Sequence, residues 1–187
     1  MKKLIVLNIA AMLLTACQMK GNNSEATPET AAQEQTAQTA DTPVEGTEVG
    51  NKYVNIKLPG IQGNNVAVSD YVAKNRYTLV DFWASWCSPC RAEMPTIVQA
   101  YAKYHDQGFE VVGVSLDNRR EAWLAALEKL GMTWPQMSDL NGWECQGAQL
   151  YHVQAIPANV LIDQQGIIVA KDLRGEGLLQ KLAELLK

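Results

Sequence analysis

A chain of 187 residues with 47% apolar residues, 19% charged residues and a formal net charge of −4 has the make-up of a protein with one domain-sized core. Its mild acidity excludes the basic stripe that a nucleic-acid partner requires. Four cysteines are too few to staple a scaffold of this size, so each is read in its own context.

Met1, Lys2 and Lys3 form a short positive start, and Leu4 to Leu14 is apolar apart from Asn8. About eleven helical residues rise about 16 Å, short of the ~30 Å of a bilayer core, so the stretch fits a secretory signal better than a spanning helix. It ends in Leu14, Thr15, Ala16 and Cys17, which resembles the bacterial lipobox. The resemblance implies a signal peptide over 1–16 and an acylated Cys17, because the lipid is attached to a thiol. From Gln18 to about Gly50 the chain is dominated by Ala, Thr, Gln, Glu, Asn and Pro. Such a composition cannot offset its ordering entropy, and 17–50 is expected to be a disordered tether ahead of a domain at 51–187.

Within that domain, Tyr53 to Leu58 alternates apolar and polar residues, Pro59 and Gly60 break it, and Val66 to Val68 reads as a second strand of an N-terminal hairpin. Ser69 and Asp70 are expected to cap a short helix to about Asn75. Tyr77 to Ala84 and Phe109 to Ser115 are continuous apolar strands, which belong in the middle of a sheet covered by helices. Between them a helix is expected from about Pro89 to His105, with Met94, Ile97, Val98 and Tyr101 on one face. A second helix, Arg120 to Leu130, stops at Gly131. After an irregular segment with Trp134, Pro135 and Gly142 comes a short helix over Cys145 to Tyr151. A hairpin of Asn159 to Asp163 and Ile167 to Lys171 follows, then an amphipathic helix carrying Leu178, Leu179, Leu182, Leu185 and Leu186. The order is β-α-β-α and then β-β-α, a parallel half followed by an antiparallel ribbon.

Trp86, Cys87, Ser88, Pro89 and Cys90 fall at the end of a buried strand and on the first turn of a helix. Unpaired amide N–H groups and the helix dipole then favour the Cys87 thiolate, the nucleophilic form. A fall in pKa from about 8.5 to about 7 raises the thiolate fraction at neutral pH from a few per cent to about half. Cys90, about one turn on, can reach Cys87 to close a short disulfide, and Pro89 suits a helix start because its missing N–H had no partner there. Asp81 stands inside an apolar strand, where a charge is costly unless it is paired or titrates.

The run Val80 to Cys90 resembles the active-site segment of the thioredoxin superfamily. Glu93 and Pro95, giving C-x-x-C-x-x-E-x-P, together with the N-terminal hairpin and the anchor signal, narrow the resemblance to the TlpA/ResA-like group. It covers residues 53–187. It implies a thioredoxin-like α/β fold with an added hairpin, and a thiol–disulfide oxidoreductase of reductase type held at a bacterial membrane. The redox-active Cys87–Cys90 disulfide is then its only prosthetic element. Partners implied are exported proteins with disulfides and a membrane-embedded or extracytoplasmic thiol donor. By the same resemblance Cys87 is the exposed attacking thiol and Cys90 the buried resolving one. Trp86 flanks the site, and Ile156 offers its backbone to substrate ahead of a cis Pro157. The family commonly has Thr next, where this chain has Ala158.

Asp81 is a proton acceptor for Cys90 in this reading, or a structural carboxylate paired with a lysine in the plainer one. Glu93 either influences cysteine titration or is a solvated helix residue, and Pro95 is expected to kink its helix. Cys145 is an inert core thiol or a third redox thiol. A zinc site from Cys87, Cys90, Cys145 and His152 suits the motif less well than exchange does. His105 is read as a surface or packing residue, Trp123 as core, and Trp134 and Trp143 as candidates for a substrate groove. The competing activity is that of a thiol peroxidase, whose relatives carry Thr where Ala84 stands; a binding-only lipoprotein is the non-enzymatic alternative.

Overall fold

The structure is a computed structural model that describes residues 43–187. The lipidation expected at Cys17, and most of the expected tether, fall outside these residues. A five-stranded sheet in the order β5 (Gln136–Met137), β4 (Phe109–Ser115), β3 (Tyr77–Trp83), β6 (Ala158–Asp163), β7 (Ile168–Lys171) forms the middle layer. Its central strand β3 pairs in parallel with β4 and antiparallel with β6. All seven residues of β4 are buried, as their near-continuous apolar character requires of a strand covered on both faces. Outward lie β7, antiparallel to β6, and β5, parallel to β4.

The helices follow the expected places with small shifts. The long α2 (Ser88–Tyr104) turns Cys90, Met94, Ile97, Ala100 and Tyr104 inward and runs on through Pro95. Next, α3 (Arg120–Leu130) ends at Gly131, whose φ of 67° releases the chain through a left-handed residue. The short α4 (Gln146–Leu150) lies on the Phe82 and Val114 face of the sheet. Its Gly147 is packed so closely that a Cβ would come within 3.1 Å of Ile56 and Val114. The last helix, α5 (Gly175–Leu185), begins three residues earlier than its leucine pattern shows and packs against α2.

The N-terminal hairpin is present but shorter than expected. β1 (Lys57–Pro59) pairs with β2 (Asn65–Ala67), so Pro59 lies in the ladder rather than ending it. The helix after it, α1 (Ser69–Val72), is not capped by Ser69; instead the Asn55 carboxamide accepts from the Ser69 N–H at 3.0 Å. The backbone of Val44 to Gly50, read from sequence as tether, is hydrogen-bonded to this same unit. Lys52 N–H donates to Val44, and Gly50 N–H donates to Ile168 of β7. Residues 50–53 thereby cover the β7 edge, while the Ser138 N–H donates to Pro59 beside β5. One N-terminal segment shields both open edges of the sheet, where unpaired strands would otherwise invite association.

Candidate active site

Two strand ends and two helix starts meet at the carboxyl edge of β3. The bend from β3 into α2 is held by Asp117, a buried carboxylate just beyond β4. It accepts from the Ser85 N–H at 3.0 Å, the Ser85 hydroxyl at 2.6 Å and the Ser115 hydroxyl at 2.8 Å. With that loop fixed, Cys87 becomes the N-cap of α2, in extended conformation, and its Sγ accepts from the Cys90 N–H at 3.2 Å. Cys87 and Cys90 are joined in a disulfide, with Cα atoms 5.3 Å apart. Cys90 is completely covered. Cys87, expected to be exposed, keeps only 4% of its surface, because the Ile156 carbonyl approaches its Sγ at 3.6 Å. The Ile156–Pro157 bond is cis, as the resemblance implied.

Cys87 still borders open space on one side. A shallow groove of about 370 Å³ is lined by Trp86, Cys87, Pro89, Trp143, Gln154 and Ile156. Trp86 and Trp143 are half exposed, and their rings lie 6.1 Å apart and tilted. Trp134, the other groove candidate, is buried against the Tyr101 ring instead. Trp123 is core as expected, and His105 packs on Tyr101.

Inside β3, Asp81 is 1% exposed. Burial pushes its carboxyl up to about 7; the Arg174 guanidinium opposes the rise and the Glu93 carboxylate adds to it. Among the described residues no lysine pairs with it: the nearby cation is Arg174, at the N-cap of α5. Arg174 donates to the Pro157 and Leu173 carbonyls, tying the cis-proline loop to α5. Asn159 reinforces that tie, exchanging two hydrogen bonds of 2.9 Å with the Leu173 backbone.

Glu93 is neither fully solvated nor in the groove. Its carboxylate accepts from the Gly175 N–H at 2.9 Å, sitting at the positive end of α5. Glu93→Ala should therefore cost about 1 kcal/mol of stability, as loss of a helix cap does, measurable by urea denaturation. Glu93→Gln keeps an acceptor but removes a negative charge near Asp81, so the Asp81 carboxyl should titrate at lower pH; a carboxyl ¹³C titration checks the direction.

Cys145 is fully buried, bonded to no other cysteine among the described residues, and burial pushes its thiol up to about 11, which suits an inert core residue. Among the described residues no cluster of three or more His, Cys, Asp or Glu side chains could hold a metal ion, so Cys87, Cys90, Cys145 and His152 are not gathered into the alternative zinc site.

Comparison with known proteins agrees with this geometry. The model of the AhpC/TSA family matches residues 49–171. The chain belongs to the AhpC/TSA family. A thiol–disulfide oxidoreductase ResA from Bacillus thuringiensis subsp. konkukian is 27% identical over 140 residues, spanning 75% of this chain and 78% of that one. Among solved structures, a thiol-disulfide oxidoreductase from Bacteroides fragilis superposes with a TM-score of 0.68 at 35% identity, over 73% of this chain and 100% of that one. The thioredoxin domain of a thiol-disulfide oxidoreductase from Bacteroides vulgatus gives 0.69 at 34% identity, over 75% and 99%. With the Cys87–Cys90 pair in place, this chain is a thiol–disulfide oxidoreductase of thioredoxin-like fold.

Proposed function

We propose that the protein reduces disulfides of exported proteins, with Cys87 as attacking thiol, Cys90 as resolving thiol and Asp81 as proton acceptor for Cys90. The observation that carries this reading is the position of the Cys87 sulfur. It caps a 17-residue helix, faces an open groove, and lies 3.6 Å from the backbone carbonyl of Ile156. An extended client segment can pair with that backbone while its disulfide meets Cys87. Asp81 lies on the sheet face that α2 covers, and Cys90 on the covered side of α2. Glu93 and Arg174 set the charge around Asp81, while Trp86, Trp143, Ile156 and Pro157 form the client surface.

The reading also places residues 1–16 as a signal peptide and Cys17 as the acylated residue, with the catalytic domain, which takes in the Val44 to Gly50 backbone, at the outer side of a bacterial membrane. The lipobox at Leu14 to Cys17 supports it. Labelled palmitate should enter the full chain in a bacterial host and not the Cys17→Ala chain.

The direct test of the activity is reduction of insulin by the pre-reduced protein, run beside a peroxide-consumption assay. Stoichiometric insulin reduction that requires both Cys87 and Cys90 supports the reading. Rapid peroxide turnover that survives Cys90→Ser, with no insulin reduction, overturns it in favour of a peroxidase. Trp143→Ala should raise KM for a protein client about tenfold with little change in kcat, since an aromatic wall of the groove is lost and the sulfur chemistry is untouched.

A further inference from the structure

Four adjacent strands bring Asn159, Asp81, Gly113 and Gln136 into one row across the sheet, each in register with the next. Partners in register project to the same face. The Gly113 position has no side chain, and the Gln136 carboxamide occupies the space: a Cβ on Gly113 would stand 2.2 Å from Gln136 Oε1 and 2.5 Å from Nε2. The amide therefore lies across β4, on the flank of Asp81.

The orientation of that amide is fixed by Trp83. Its indole N–H, which can only donate, reaches Gln136 Oε1 at 3.2 Å. Among the described residues, Nε2 is left with two donors and no acceptor within hydrogen-bond distance, and Asp81 Oδ2 is left without a donor. Gln136 is 3% exposed and Asp81 1%. Buried polar atoms of complementary type rarely stay unmatched, because each costs its full desolvation. An apolar side chain would fill the same space without that cost.

We propose that Gln136 is a positioning residue for proton transfer at Cys90. Its Nε2–H donates to Asp81 Oδ2, directly or through one water, once that carboxyl is ionised. This rests on the reading of Asp81 as the proton acceptor. The charged groups that act on Asp81 are Arg174 from the start of α5 and Glu93 from α2; the neutral Asn159 is its register partner on β6, and Cys90 is on the buried side of α2. Glu93 and Arg174 act by charge; Gln136 acts by a hydrogen bond to the charged form alone, which lowers the pH at which Asp81 can accept a proton.

The test uses the full domain, oxidised, with no change at Gln136. Its side-chain amide signals should move with pH at the midpoint of the Asp81 carboxyl ¹³C titration, and stay flat in Asp81→Asn. In addition, Gln136→Met should raise that midpoint by about one unit. At pH values below the midpoint it should slow the Cys90-dependent release of a preformed Cys87 mixed disulfide about tenfold. It should add nothing in the Asp81→Asn background. Amide signals that remain flat while Asp81 titrates overturn the role of Gln136 and leave that of Asp81 intact. A release rate whose pH profile is the same in wild type and Asp81→Asn overturns both.

Discussion

Replacing Cys90 with serine should leave clients covalently stalled on Cys87. In the productive cycle the Cys87 thiolate attacks a client disulfide, forming a mixed disulfide and expelling one client thiolate. The Cys90 thiolate then attacks the Cys87 sulfur, the second client thiolate leaves, and the Cys87–Cys90 bond forms as two electrons pass to the client. With a hydroxyl at 90 the second attack is lost, because an alcohol is almost wholly protonated at neutral pH and a far weaker nucleophile towards sulfur. Turnover should fall by more than about a thousandfold, while adducts accumulate that mass spectrometry can identify. Cys87→Ser should also be inactive but form almost no adducts, since Cys90 has no exposed surface to present to a client. Adducts found mainly on Cys90 in Cys87→Ser would show that the order of attack is reversed.

The positions of the two thiols were legible in the sequence because they depend on local structure, whereas the roles proposed for them came from the family resemblance. A buried strand, a tight bend and a proline at a helix start place one sulfur at the N-cap and the other a turn deeper. The central strands, α2 and α3 were legible for the same reason: seven buried residues of β4 and the leucine face ending at Gly131 are periodic signals. β5 was not legible. Two residues after Pro135 carry no periodicity, and Gln136 reads as polar loop until its contact with Gly113 and Trp83 is seen.

The supporting parts of the site failed to show for a related reason. Asp117 could have been suspected, as a carboxylate just past the carboxyl end of a buried strand, where α/β sheets build their sites. Arg174 gave no such signal. It lies 84 residues after Cys90 in sequence, ahead of a helix whose start was hidden by the glycines Gly175 and Gly177. Only the antiparallel return of β6 and β7 brings it under Asp81. Glu93 sits between these cases: its place in the motif was visible, yet its partner, the Gly175 N–H, is a tertiary contact that periodicity cannot reveal.

Asp81→Asn should make the oxidised protein more stable at pH 8 and hardly change it at pH 4. In the folded chain the carboxyl titrates at about 7 against an ordinary value of 3.8. Below pH 4 it is protonated in both folded and unfolded states, so its ionisation costs the fold nothing. Between pH 4 and pH 7 the unfolded state loses the proton while the folded state keeps it, and stability falls with rising pH. Above pH 7 both are ionised and the full penalty, about 2–4 kcal/mol, is present and constant. Asparagine keeps the shape without the charge, so denaturant midpoints should separate from wild type as pH rises through this window and run parallel above it. Wild-type and Asp81→Asn stabilities that differ by the same amount at pH 4 and pH 8 would mean that Asp81 does not titrate in this range. The same carboxyl would then be ionised throughout and too weak a base to draw the proton from the Cys90 thiol. If the titration of this buried carboxylate is used in release, the pH dependence of stability and of mixed-disulfide release should share one midpoint.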